Sequence, residues 1–102
     1  MRPPIVYITN KSGHDYTPAM HYGTLLFLTE GRVKQFSTNT IYREFIEKMS
    51  GSEDQDFLLI SSLSILNSIA TGILAIKHSK VNFLMFRDGK YLERSINFNA
   101  LI

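Results

Sequence analysis

The chain of 102 residues contains no cysteine, and this absence excludes several kinds of site at once. Without thiols there are no disulfides, no zinc–thiolate centres and no cysteine nucleophile. The chain also lacks a strong charge excess, because its 11 Lys and Arg residues nearly balance its 9 Asp and Glu residues and leave a formal net charge of +2. Proteins that bind many nucleic-acid phosphates usually have a clearer basic excess, so such binding would need a local patch and is not the expected function.

Long apolar runs are also absent. The run after residues 1–4 is too short for the apolar core of a signal peptide. The longest apolar stretch, residues 65–76, is interrupted by four polar or glycine residues and is too short to cross a bilayer. We therefore expect a soluble protein of the cytoplasm that does not contact membranes.

Size and composition predict one domain over residues 1–102. A chain of this length buries enough surface to fold alone. The hydrophobic content of 44% and the charged content of 20% are typical of globular proteins. No internal repeat, linker or glycine-rich phosphate-binding fingerprint is present.

Strand-like and helix-like segments alternate along the chain. Short runs rich in β-branched, aromatic or aliphatic residues predict strands, and capping residues followed by apolar residues at helical spacing predict helices. The predicted strands are 5–9, 25–28, 57–60, 81–86 and 91–98, and the predicted helices are 15–23, 41–49 and 65–78. Residues 32–36 are compatible with a loop or with a short strand.

This order predicts an α/β fold, a small Rossmann-like domain. We expect a mostly parallel sheet of four to five strands, helices on both faces and a C-terminal β-hairpin turning at Asp88-Gly89. The uniformly apolar strand 57–60 belongs in the centre. Strand 91–98 alternates, with Tyr91 on its polar side, and belongs at an edge.

The apolar pattern also predicts the core. The helix 65–78 is apolar nearly all round, so we expect it to be the most buried helix. On the helix 41–49, apolar residues at 41, 45, 46 and 49 share one face. The residues predicted to be buried are Phe45, Leu58, Leu59, Ile69, Ile73 and Leu84.

The loop after the first strand is the densest cluster of chemically active groups. Gly13 would let a ligand approach the backbone, while Asn10 and Ser12 offer hydrogen bonds. His14 is a candidate general base or acid, and Asp15 would orient its imidazole, in phosphoester chemistry. The same residue types also build an ordinary turn followed by an Asp N-cap. Both interpretations stay open, and no complete catalytic set or metal-ligand set is visible.

A second cluster follows the third strand. Ser61, Ser62 and Ser64 precede a helix, and Asn67 lies one turn inside it. A strand-to-helix turn presents free backbone N–H groups and a partial positive charge, which suit a phosphate or carboxylate. Capping of the helix by Ser64 explains the serines equally well.

Glu30 and the hairpin aromatics are weaker candidates. Glu30 follows the second strand, where acidic residues often bind a ribose hydroxyl, although a solvated strand end is the commoner case. Phe83, Phe86, Tyr91 and Phe98 are compatible with base stacking, but their strand periodicity favours a core or subunit-interface role. No resident cofactor is implied.

The two polar loops converge if the strand order is second–first–third–fourth. The chain then reverses between the first and third strands, and a crevice opens between the loops. The leading hypothesis is a site for a nucleotide or another small anionic ligand. The alternative is a non-enzymatic interaction or assembly protein, or a homo-oligomer, that binds through the hairpin edge.

The motif Asn10-x-Ser12-Gly13-His14-Asp15-Tyr16 is similar to a loop of small Rossmann-like proteins encoded by bacteriophages and related mobile elements. Further matching segments are Tyr22-Gly23, Thr29-Glu30-Gly31 and Asp56–Ser61 leading to Asn67. The resemblance covers about residues 5–94 and implies action in the cytoplasm of a host cell. It transfers no catalytic residues. Ser62 stands where a ligand loop of this kind would have glycine.

Overall fold

A computed structural model describes residues 2–61 and 63–100, in which strands and helices alternate. Its elements are β1 (Ile5–Ile8), a first 3₁₀ helix (Thr17–His21), β2 (Thr24–Phe27), α1 (Thr38–Lys48), β3 (Phe57–Leu59), α2 (Ser64–His78), β4 (Lys80–Arg87), β5 (Lys90–Asn97) and a final 3₁₀ helix (Phe98–Ala100). The segment 32–36 is a loop rather than a strand.

The strands form one five-stranded mixed sheet in the order β2-β1-β3-β4-β5. Neighbours β2, β1, β3 and β4 run parallel, and β5 returns antiparallel to β4. The α/β class, the central position of β3 and the edge position of β5 are therefore confirmed. The order also meets the condition for a switch point, because β1 and β3 are direct neighbours.

The helices do not cover both faces as predicted. Right-handed crossovers place connections that lead in opposite directions along the sheet on opposite faces. The connection from β1 to β2 runs one way, and those through α1 and α2 run the other. Both α-helices thus lie on one face. The other face receives only the first 3₁₀ helix, whose five residues include Pro18 and are too few for a stable α-helix.

The helix face of the sheet carries the larger part of the core. Phe45 and Met49 of the α1 region pack with Leu66, Ala70 and Leu74 of α2 over the strands. Phe45 is fully buried, as predicted, and so is Leu58 beneath it. The helices contact each other as well as the sheet, so together they form one helical layer over this face.

Some predicted core residues are not fully buried. Ile69 and Ile73 of α2 are only half-buried, and Ile76 is 86% exposed. Ile46 of α1, expected on the buried face, is 43% exposed. Helix α2 is nevertheless the more buried of the two α-helices, as predicted, because α1 has two buried residues and α2 has three, Leu66, Ala70 and Leu74. Its outer surface is not covered by a further layer in the described structure.

The opposite face is built around Leu59 and Leu84, both buried as predicted. Tyr91 was predicted on the polar side of β5, yet it is only 7% exposed. The hairpin bends over this face and contacts the first 3₁₀ helix, and the Tyr22 hydroxyl donates to the Tyr91 carbonyl at 2.9 Å. Alternation along β5 identified its two sides correctly, and Glu93, Ser95 and Asn97 are exposed as the pattern predicts. Tyr91 alone is buried on that side, where the hairpin contacts the first 3₁₀ helix.

The β4–β5 turn has the predicted two-residue form. Asp88 and Gly89 have φ values of 51° and 83°, the geometry that matches the twist of hairpin strands. The outer edge of β5 is partly occupied by side chains. In addition to the Tyr22 contact, Arg94 Nη1 donates to the Glu93 carbonyl at 2.7 Å.

A buried carboxylate anchors the amino-terminal edge of the sheet. The Asp56 side chain has no exposed surface and pairs with Arg2, whose Nη2 lies 2.6 Å from Oδ2. Burial alone would raise the pKa of Asp56. Hydrogen bonds from Arg2 and from the backbone amides of Ile5 and Glu53 outweigh it and hold the pKa below its ordinary value. The candidate site described below lies at the opposite edge of the sheet, where the parallel strands end.

Close backbone approach explains Gly23, which the sequence suggested only as a helix stop. The Thr24 amide donates to the Pro4 carbonyl at 2.9 Å where β2 begins beside β1. A Cβ on Gly23 would collide with that carbonyl. The glycine therefore permits the first pairing of β1 with β2.

Candidate functional site

The ends of β1 and β3 are joined by a polar network. Thr9 Oγ1 and Ser61 Oγ share a hydrogen bond of 2.8 Å. The Asn67 amide bonds to the backbone of Ser61 on both sides, because Nδ2 donates to its carbonyl at 2.8 Å and Oδ1 accepts from its N–H at 3.2 Å. Asn67, predicted as a ligand-binding amide, thus connects α2 to the β3 loop instead.

Asn10 has a similar internal role. It is 9% exposed, and its Oδ1 accepts from the Thr29 hydroxyl at 2.9 Å. Its carbonyl accepts from the Tyr16 hydroxyl at 3.2 Å. Asn10 therefore ties the end of β1 to the end of β2 and positions Tyr16.

The two loops border one cavity of about 250 Å³ at the carboxyl edge, on the face that carries the first 3₁₀ helix. Four of the predicted site residues line it, namely Ser12, His14, Asp15 and Ser61. The other lining residues are Tyr16, Leu59, Ile60, Phe86 and Tyr91. The expected adjacency of the loops is therefore present.

His14 and Asp15 are not joined in the way that a phosphoester mechanism would need. The Asp15 carboxylate accepts the Thr17 N–H at 3.0 Å. Hydrogen bonding by the Thr17 side chain and, second, by this N–H lowers the pKa of that carboxyl. His14 is exposed and has no hydrogen-bond partner among residues 2–61 and 63–100. Within that part of the chain, no group of three His, Asp or Glu is placed to hold a metal ion.

Ser12 lines the cavity, and the neighbouring Gly13 does not. The Ser12 hydroxyl lies 2.9 Å from the Tyr16 hydroxyl, and the Ser12 N–H donates to it at 3.3 Å. Gly13 does not use the left-handed backbone conformation that would require glycine. A Cβ at this position would meet nothing within 4 Å, so the fold itself does not need glycine here.

Helix α2 begins at the same edge, but Ser64 does not cap it. Leu63 is the N-cap residue, no side chain of the described residues caps this end, and Ser64 is the exposed first residue of the helix. The prediction for Ser62 lies outside the described residues. Among the described residues, the Ser64 and Ile65 amides have no acceptor, whereas the Leu66 amide donates to the Leu63 carbonyl at 3.1 Å. The helix end adds a partial positive charge.

Glu30 lies apart from the 250 Å³ cavity. It lines a larger concavity of about 690 Å³ between the loop after β2 and α1, together with Arg32, Lys34, Glu44 and Lys48. Two of those charges neutralise each other, because Lys48 Nζ lies 2.8 Å from Glu44 Oε1. Glu30 therefore lines a different concavity from Ser61.

Two hairpin aromatics for which the strand periodicity favoured a core or subunit-interface role, Phe86 and Tyr91, line the cavity. Phe86 and Tyr91 are direct cross-strand partners, and their rings meet edge to face at 5.2 Å. The predicted Asp88-Gly89 turn already implied this pairing, since strands joined by two residues have a fixed register. Burial, with smaller contributions from Tyr16 and Asp15, raises the pKa of Tyr91.

Comparison with protein families gives one result, a match of residues 4–99 to the model of the Phage Pam3 gp32-like protein family. The chain belongs to this family. The expected relationship to small phage-encoded proteins is thereby confirmed. No curated protein and no solved structure matches the chain. Among the described residues, no helix is long and apolar enough to cross a membrane.

Proposed function

We propose that this phage-family domain binds a nucleotide or another small anionic ligand at the carboxyl edge of its Rossmann-like sheet. The observation that carries the proposal is the shared cavity, which the β1 loop lines with Ser12, His14 and Asp15 and the β3 loop with Ser61. Ligands of open α/β sheets commonly bind at such a switch point.

The start of α2 supports an anionic group on this ligand. Backbone N–H groups of the first turn have no intrahelical acceptor, and the helix dipole adds a partial positive charge. The helix begins three residues after Ser61, which lines the cavity. A phosphate bound there would leave the rest of the ligand beside the cavity.

Binding without turnover fits the geometry better than catalysis does. A general base needs a partner that orients it, and the Asp15 carboxylate is bonded to the Thr17 amide rather than to His14. We place this binding in the cytoplasm of the infected host cell, in keeping with the phage family.

Nuclear magnetic resonance tests the proposal. Titrating nucleoside monophosphates or inorganic phosphate should shift the Ser61 and Ser64 amides and the His14 ring, while the Ser37 amide before α1 stays unchanged. His14→Ala should weaken binding, and His21→Ala, a matched exposed histidine that does not line the cavity, should not. Failure of every anion to perturb the α2 end would contradict the proposal.

A second candidate function is protein binding through the hairpin. Met85 and Ile96 are each 48% exposed and lie on the helix side of β4 and β5. Simple strand addition is disfavoured, because the carbonyls of Tyr91 and Glu93 already accept internal donors. Native mass spectrometry of the wild type and of Met85→Lys would reveal a homo-oligomer that depends on this surface.

A further inference from the structure

The 250 Å³ cavity differs in character from the anion-binding end of α2. Aromatic and aliphatic side chains form most of its walls, with Tyr16, Phe86 and Tyr91 on the hairpin and 3₁₀ side and Leu59 and Ile60 at the sheet. Pockets that surround a whole drug-sized ligand usually exceed about 300 Å³. This cavity therefore suits one part of a ligand, and aromatic walls suit a planar ring.

The charge of the lining argues against a phosphate inside the cavity. Among the described lining residues, Asp15 is the only carboxylate, and no Lys or Arg contributes. An anion inserted beside Asp15 would meet like charge without compensation. The phosphate of a nucleotide would therefore remain outside, toward the start of α2, while the ring enters.

The Asp15 carboxylate also determines which edge of a planar ring would be recognised, namely an edge that carries N–H donors. One carboxylate oxygen, Oδ1, accepts a hydrogen bond from the Thr17 amide. The Thr17 side chain also hydrogen-bonds this carboxylate. An ionised carboxylate has about four acceptor sites over its two oxygens, so about half of them remain for a ligand. Two adjacent N–H donors on a planar ring match such a carboxylate.

We propose that the cavity binds the guanine ring of a free nucleotide, with Asp15 accepting its N1–H and N2–H donors and Phe86 stacking on its face. Guanine is the common nucleobase that has an imino N–H next to an amino group. The inference rests on the proposed function and assigns the ring-binding half of the same site. Phe86 supports it, because this cavity-lining ring is 59% exposed and a bound ring would cover it.

Matched ligands test the assignment. GMP should bind about tenfold more tightly than IMP, which lacks the amino group, and than AMP, which lacks the imino N–H, since a bidentate contact commonly gives such a factor. Guanosine, which has no phosphate, should shift the Asp15, Tyr16 and Tyr91 amides. Inorganic phosphate should shift the Ser61 and Ser64 amides and the His14 ring, but not the Tyr91 amide.

Matched variants test the two residues. Asp15→Asn retains an oxygen for the Thr17 amide and should abolish the preference for GMP, whereas Asp88→Asn in the hairpin turn should not. Phe86→Ala should weaken GMP binding about tenfold, the usual effect of losing a base-stacking ring. Phe36→Ala, at a ring that is 93% exposed and does not line the cavity, is its control.

Three results would overturn the inference. Equal affinity for the three monophosphates, with shifts confined to the α2 end, would refute the guanine assignment and leave the proposed function standing. Tighter binding of a guanine-containing single strand than of GMP would refute the assignment to a free nucleotide. The absence of shifts with every ligand and with phosphate would refute both proposals.

Discussion

Replacing Asp56 by Asn tests how the amino-terminal edge of the sheet is held. The Asp56 carboxylate accepts from Arg2 Nη1 at 2.8 Å, Arg2 Nη2 at 2.6 Å, the Ile5 amide at 2.9 Å and the Glu53 amide at 2.8 Å. In Asp56→Asn, one oxygen becomes an NH₂ group that faces two of these donors. The substitution keeps the size of the side chain and removes its charge and half of its acceptors.

The expected loss is large for a domain of this size. Removing one partner of a buried ion pair destabilises a protein by about 3–5 kcal/mol. Domains usually unfold with about 5–15 kcal/mol, so the variant would lose a substantial part of its stability. Urea unfolding followed by circular dichroism measures the difference. Glu44→Gln, which removes the half-exposed pair with Lys48, is the matched control and should lose less than about 0.5 kcal/mol.

The pH dependence provides a second readout. Because the folded-state pKa of Asp56 lies below the unfolded value of about 4, its contribution is present above pH 4 and disappears as the pH falls through the folded-state pKa. The stability gap between wild type and Asp56→Asn should therefore be constant from about pH 5 to 7 and shrink in acid. A gap below about 1 kcal/mol at pH 7, or one that grows in acid, would refute the reasoning.

Three further changes test the packing. Leu74→Ala should lower the free energy of unfolding by about 2–5 kcal/mol, because Leu74 is only 3% exposed. Ile73→Ala should lower it by clearly less, because Ile73 is half-buried. Equal losses of unfolding free energy, measured by urea denaturation, would contradict this packing. Gly23→Ala should lower the melting temperature because its Cβ meets a backbone carbonyl, while Gly13→Ala should leave it unchanged. Asn67→Ala should cost about 1–3 kcal/mol in unfolding experiments, since it leaves polar groups of the β3 loop without partners, and an unchanged stability would rule out its connecting role.

The sheet could be predicted from sequence because each of its signals is local. Uniform apolarity of residues 57–60, alternation in residues 91–98 and the Asp88-Gly89 turn each depend on a few neighbouring residues. Parallel strands with crossovers then leave few topologies, and the observed order is one of them.

Side-chain roles within the site were less predictable. Asn10 and Asn67 have the chemistry of ligand-binding amides, yet each bonds to the chain itself, and only the folded geometry decides between those uses. Tyr91 was misplaced because hairpin bending is a tertiary effect that alternation does not encode. The residue types were enough to predict that the two polar loops meet at the carboxyl edge of the sheet. The aromatic wall of the cavity could be predicted only from the cross-strand register of β4 and β5.

The unequal cover of the two sheet faces has a consequence for motion. Two α-helices protect one face, whereas a single five-residue 3₁₀ helix lies over the other, which carries the cavity. Segments with few buried contacts open at lower free energy than the whole domain unfolds. Amides of the Thr17–His21 segment should therefore exchange with solvent deuterium through a local opening, while those of α2 exchange only when the domain unfolds. Such an opening would expose the cavity while the helix face stays intact, so solvent access to the cavity and the global stability of the domain would be separable properties of this chain.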